Sequence, residues 1–155
     1  VSKADIYHHF KNKDELFIKT AEHAWASITI RDLTDMTGVT RNTFKKRLVD
    51  NGLIYLKHFR EDPRLKRMGL AMMTRMTRSP ELMKKIMPLL EEGLNQVRKV
   101  IALGVDIGAV SDDDDGEILA IQLFMIVDAM EMYQAFGIEF PFERIWERFM
   151  DQLIR

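Results

Sequence analysis

Between Ile118 and Tyr133 apolar residues fall on nearly every side of a helical projection: Ile118, Leu119, Ile121, Leu123, Phe124, Met125, Ile126, Val127, Met130, Met132 and Tyr133. A helix that is apolar all round must be buried all round. In a chain of 155 residues the second face is most simply covered by a partner subunit. The final segment from Pro141, with a wide stripe of Phe142, Ile145, Trp146, Phe149, Met150 and Leu153, is expected to share that cover. The expectation is a homodimer formed by the helix from Glu117 to Phe136 together with the last helix.

The remaining long segments also repeat at helical period, and none alternates as a strand does. Ser2 to Phe10 reads as a short helix capped by Ser2. Asn12 with Glu15 three residues on makes a capping-box-like start for a second helix, whose stripe is Leu16, Phe17, Thr20, Ala21, Ala24, Trp25 and Ile28. Gly38 stops that region, and a helix starts at Thr40 with Phe44, Leu48, Tyr55 and Phe59 on one side. Asn51-Gly52 is expected to weaken or bend it. Asp62-Pro63 and Ser79-Pro80 each place a cap before a proline at the first helical position. The first opens a helix facing inward through Leu65, Met68, Gly69, Met72, Met73 and Met76. The second opens a longer one through Met83, Ile86, Leu90, Leu94, Val97 and Ile101, with a kink or break expected at Pro88. The fold class is all-α.

Composition narrows the function. Hydrophobic residues at 46% and charged residues at 30% describe a globular chain, not a disordered one. No uninterrupted apolar run reaches the length of a membrane span, and no apolar leader opens the chain, so a cytoplasmic place with no membrane partner is expected. Absence of cysteine removes disulfides, thiolate metal sites and cysteine nucleophiles. A net charge of −1 means that any nucleic-acid contact must come from a local patch.

Such a patch lies at the beginning. Val1-Ser-Lys-Ala-Asp-Ile-Tyr-His-His-Phe-Lys-Asn-Lys-Asp-Glu-Leu-Phe17 resembles the end of the helix-turn-helix of the TetR family of transcriptional repressors. In that pattern a short recognition helix ends Tyr-x-His/Tyr-Phe, and Lys-Asn/Ser-Lys-x-x-Leu opens the next helix. The resemblance covers about a tenth of the chain and implies two further helices ahead of it. It divides the chain into the end of a helix-turn-helix at 1–13 and a helical ligand-binding and dimerisation domain at 14–155. A short helix can present polar side chains to base edges and phosphates in a major groove. Ser2, Lys3, Asp5, Tyr7, His8, His9 and Lys13 are the candidate DNA-binding residues. Tyr7 and His9 match family positions that bond the DNA backbone or base edges, and Lys13 matches a phosphate-binding lysine. Asp5 departs from the small or hydroxyl residues of the family at its position, and it would repel phosphate or accept from a cytosine amino group.

Other constellations carry less. Aligning Gly116 with the glycine of a calcium loop puts Ser111 and Gln122 where a chelating Asp and a bidentate Glu belong, so Asp112 to Asp115 reads as acid favouring a helix N-terminus. His8, His9, His23 and His58 contain no i, i+4 ligand pair, and no serine stands in a nucleophile elbow, so no metal, cofactor or catalytic residue is assigned. The 11 methionines suit an adaptable core or pocket. Tyr55, Phe59, Met68, Met72, Met76 and Phe124 are the candidate lining of a pocket for a small apolar or amphipathic ligand. Asp128, alone between Val127 and Ala129, is the acid to watch. The expected function is a ligand-responsive regulator, most simply a repressor released from operator DNA by that small molecule; the alternative is a helical ligand carrier or enzyme without DNA binding.

Overall fold

The structure, a computed structural model, describes residues 9–27, 33–112 and 115–154, and of residues 25–27 the backbone only. Among the described residues it is all-helical and contains no strand: α1 (Lys13–Ser27), α2 (Arg41–Glu61), α3 (Pro63–Met76), α4 (Pro80–Asp106), α5 (Gly116–Ala135) and α6 (Phe142–Leu153).

Helix starts follow their caps. Thr40 and Thr43 form a reciprocal capping box at α2. Asp62 accepts from the backbone N–H of Arg64 at 2.8 Å, and Ser79 from that of Leu82 at 3.2 Å, each with proline at the first position behind it. Asp115 accepts from Glu117 and Ile118 at the head of α5, a capping role for the end of the acidic turn. Gly137, at φ 74°, turns the chain out of α5.

Two expected weak points lie inside continuous helix. α2 runs unbroken through Asn51-Gly52. Asn51 is buried, and its side-chain amide donates to the Asp35 carbonyl at 2.9 Å, so it clamps a neighbouring segment onto the helix. Gly52 is where Trp146 crosses: a Cβ there would lie 2.1 Å from the indole, whose Nε1 donates to the Val49 carbonyl at 3.0 Å. α4 likewise runs through Pro88 without a break, with that residue on the exposed side.

The main core joins Phe44, Leu48, Tyr55 and Leu56 of α2 to Val97 and Ile101 of α4, Leu123, Val127 and Met130 of α5, and Trp146 and Met150 of α6. A smaller cluster joins Phe17 and Ala21 of α1 to Met72 of α3 and Leu82 and Ile86 of α4. α3 touches α1, α2, α4 and α5, and so lies between the two clusters. Burial of each large apolar side chain is worth roughly 1.5–3 kcal/mol, so both clusters bind their helices firmly.

Within the single chain α5 is not buried all round. Ala120, Leu123, Val127, Met130 and Gln134 are covered, whereas Ile118, Met125 and Tyr133 remain exposed. Met125 is the extreme, with 63% of its surface open. α5 is also long and apolar enough to cross a membrane by length and composition, which a search for uninterrupted apolar runs passes over because Asp128 and Glu131 interrupt it. Those two acids would be costly in hydrocarbon, and its inner face is packed against α2, α3 and α4.

Candidate functional site

Three helices contact one another in pairs, α2 with α3, α2 with α5 and α3 with α5, and the region they bound is called the seam below. The buried stripe of α2, from Phe44 through Leu48 and Tyr55 to Phe59, brings Tyr55 to this seam at helical spacing. Its hydroxyl donates to Oε1 of Glu131 on α5. Asp128 precedes Glu131 by three residues and Gln134 follows by three, so the three polar side chains form one row along α5.

Electrostatics grade along that row. Asp128 reaches solvent at the rim, yet the apolar helix faces around it strip enough water to push its carboxyl up to about 6. Glu131 is half-buried, and burial pushes its carboxyl up to about 8. The Tyr55 hydrogen bond pulls the other way, and the charge of Asp128 adds to the rise. Burial, then the Glu131 charge, hold the Tyr55 phenol well above its ordinary value. Gln134 is 5% exposed, and its Oε1 has no hydrogen-bond partner among the described residues. An orphaned buried acceptor costs roughly 1–3 kcal/mol. Among the described residues no lysine, arginine or histidine pairs with Asp128 or Glu131, whereas Arg98 takes Glu91 and Glu117, and Arg60 takes Glu143.

The residues expected to line a pocket are divided. Tyr55 belongs to the main core and Phe124 packs against its edge. Met72 belongs to the smaller cluster, with Met68 and Met76 packed against it. Phe59 is 2% exposed and lies beneath Gly69 of α3, where a Cβ would sit 3.8 Å from its ring. Tyr55 and Asp128 therefore meet at the seam, while the methionines of α3 face the α1 side. Sequence reasoning named Asp128 and missed Glu131 and Gln134. The signal was present: a second acid and an amide at the third and sixth positions after Asp128, in an otherwise apolar helix.

Of the candidate DNA-binding residues, Ser2, Lys3, Asp5, Tyr7 and His8 lie outside the described residues. His9 and Lys13 are exposed. Asn12 Oδ1 accepts from the Glu15 N–H at 2.8 Å, and Glu15 Oε2 accepts from the Lys11 N–H at 2.6 Å. This differs from a strict capping box by one residue and holds Lys11 to Glu15 as one rigid start to α1. Asp14 pairs with Arg75 of α3 at 3.1 Å, and the Arg75 guanidinium lies 4.5 Å from the centroid of the Phe17 ring.

On the opposite side of α5 an open groove of about 640 Å³ runs between α5 and α6, floored by Leu119, Met125, Ile126, Phe149 and Leu153. It continues past Ile145, which is exposed, and is edged by Arg144 and Arg148. Compared with known proteins, this chain matches no protein-family model, no curated protein and no solved structure.

Proposed function

We propose that the chain is a ligand-responsive, DNA-binding transcriptional regulator of the TetR kind, acting in the cytoplasm as a homodimer and without catalysis. Residues 1–13 are the end of its helix-turn-helix, and 14–155 its ligand-binding and dimerisation bundle. The observation that carries this reading is the run Tyr7-His8-His9-Phe10-Lys11-Asn12-Lys13, joined to a capped α1 that leaves His9 and Lys13 exposed. A helix start offers free N–H groups and a positive dipole end, to which Lys13 adds a charge suited to phosphate.

Two further features support it. The apolar groove between α5 and α6, with Met125 and Ile145 open, is a surface a second copy can cover. The seam between α2, α3 and α5 is joined to the DNA end through α3, because Arg75 grips both Asp14 and Phe17 of α1. A small amphipathic molecule entering the seam displaces α3, α3 carries α1, and the spacing of the two recognition helices ceases to match successive major grooves. As a repressor the protein then leaves its operator.

The test is selection of genomic fragments by the full-length gene product at several salt concentrations. Selective binding to a pseudo-palindromic site is expected. Lys13→Ala should weaken all sequences alike, because a phosphate contact carries no base information. Loss of one phosphate contact per subunit should make the log–log salt slope shallower by roughly 1.8. Absence of any sequence-selective binding refutes the regulator and leaves a ligand carrier.

A further inference from the structure

We propose that the seam between α2, α3 and α5 takes an amphipathic organic cation, a protonated amine on an apolar body, with Glu131 as its counter-ion, Gln134 as a second acceptor and Asp128 at the mouth. This rests on the reading of the seam as the ligand site and goes past it by fixing the charge and donor character of the ligand.

The row on α5 is acidic and acceptor-rich, and among the described residues no cation answers it. Asp128 and Glu131 have no basic partner among the described residues, although Glu91 of α4, Glu117 of α5 and Glu143 of α6 are each paired with an arginine. Independently, Gln134, nineteen-twentieths covered and one turn beyond Glu131 in the same row, leaves its Oε1 without a donor. An anion would enter facing two carboxyl groups. A purely apolar molecule would bury the row and leave the Gln134 oxygen unsatisfied. An ammonium carries three N–H donors and a charge, and its bonds to a carboxylate are the strong, charge-assisted kind. Phe124, partly buried at the edge of the main core and one turn before Asp128 on α5, supplies apolar surface for the body of the ligand.

The proton balance follows. Burial holds the Glu131 carboxyl near 8, so it keeps its proton at pH 7. The groups acting on it are Tyr55 from α2 and Asp128 from α5 itself; the described residues of α3 bring no charge to bear. An arriving ammonium favours the carboxylate, so the Glu131 proton leaves to solvent as the ion pair forms, and the bound pair is neutral.

Calorimetric titration of the full-length protein with 4-phenylbutylamine, 4-phenylbutanol and 4-phenylbutyrate tests this, because the three share a body and differ in the head group. In two buffers of different ionisation enthalpy at pH 7, the amine should bind at least tenfold tighter than the other two and release close to one proton per site. Glu131→Gln should lose tenfold or more of the amine affinity and abolish the release, whereas Glu143→Gln, a surface acid paired with Arg60, should change neither. A melting curve checks that Glu131→Gln is folded; if it is not, Asp128→Asn at the rim is the second variant, with a loss of a few-fold. Equal affinity for alcohol and amine, unchanged binding in these variants, or no amine binding overturns the cation proposal. Amine binding in a protein that selects no DNA refutes the regulator and leaves the proposal standing. Operator release by the alcohol as well as the amine does the reverse.

Discussion

Gly52 and Tyr55 lie one turn apart on α2, yet the first meets Trp146 in the driest part of the core and the second meets an acid. At Gly52 the fit is steric: no Cβ can be added, Trp146 is fully buried, and its one polar atom is spent on the Val49 carbonyl. At Tyr55 the fit is polar and dependent on protonation, because Glu131 sits where burial favours its neutral form. The first contact specifies one arrangement of α2 against α6. The second leaves the α2–α5 contact sensitive to whatever brings a charge or a proton to it. A protein that holds its shape and also answers a ligand, as proposed above, needs both kinds, and α2 carries one of each.

The largest expected effect breaks the steric contact. Gly52→Ala should gain up to about 1 kcal/mol in helix propensity, but the added methyl has to displace an indole held by packing on all sides and by a hydrogen bond. Overpacking of this kind costs typically 1–3 kcal/mol and occasionally more. With a Cβ only 2.1 Å from the indole the cost falls at or just above the top of that range, about 3–4 kcal/mol, so we expect a net loss of about 2–3 kcal/mol in denaturant unfolding. Combined with Trp146→Phe the loss should be less than additive, because the smaller ring vacates the space the methyl needs. An additive double variant would show that the crossing is looser than described.

This pair of contacts also marks what the sequence could and could not disclose. Thr40, Asp62-Pro63 and Ser79-Pro80 act through neighbours two or three residues away, so the helix starts were legible. Gly52 read as a weakness because its purpose lies 94 residues off, in Trp146, and local propensity is blind to that partner. Pro88 read as a kink or a break; it lies on the exposed side of α4, and the helix continues through it without a break. Asp128 stood out between two apolar residues, whereas Glu131 between Met130 and Met132 was not singled out. Only the approach of α2 makes it the centre of the seam.

A smaller effect of unusual sign sharpens the comparison at the polar contact. The Glu131 carboxyl stands near 8 in the folded chain against an ordinary 4.5. Its contribution to stability is therefore complete below pH about 4.5 and is lost as pH rises through about 8. A shift of that size has an upper bound of roughly 4–5 kcal/mol, and water reaching the half-buried seam reduces it, so we expect about 2 kcal/mol. Glu131→Gln keeps the shape and an acceptor for Tyr55. It should match the parent near pH 5 and exceed it by about 2 kcal/mol at pH 9, measured as the difference between denaturation midpoints. A variant that is destabilised equally at both pH values would mean that Glu131 stays ionised throughout.

The smallest effect separates the two partners of that contact. Tyr55→Phe keeps the buried ring and removes the hydroxyl, so the space is conserved and only the hydrogen bond is lost, at about 1 kcal/mol. The Tyr55 bond is the one influence that lowers the Glu131 carboxyl, so its removal should drive that carboxyl higher still. The phenol itself titrates well above its ordinary value and contributes nothing to the pH profile between 5 and 9. The fall in stability with pH, complete near 8 in the parent, should then extend past 8 in the variant, and the gap between the two proteins should widen from pH 5 to pH 9. A purely steric contact, of the kind made at Gly52, predicts a gap of constant size. Stability profiles of the two proteins over this range decide between these outcomes, since a flat difference would place Tyr55 with Trp146 among the fixed contacts and remove the protonation-dependent one from α2.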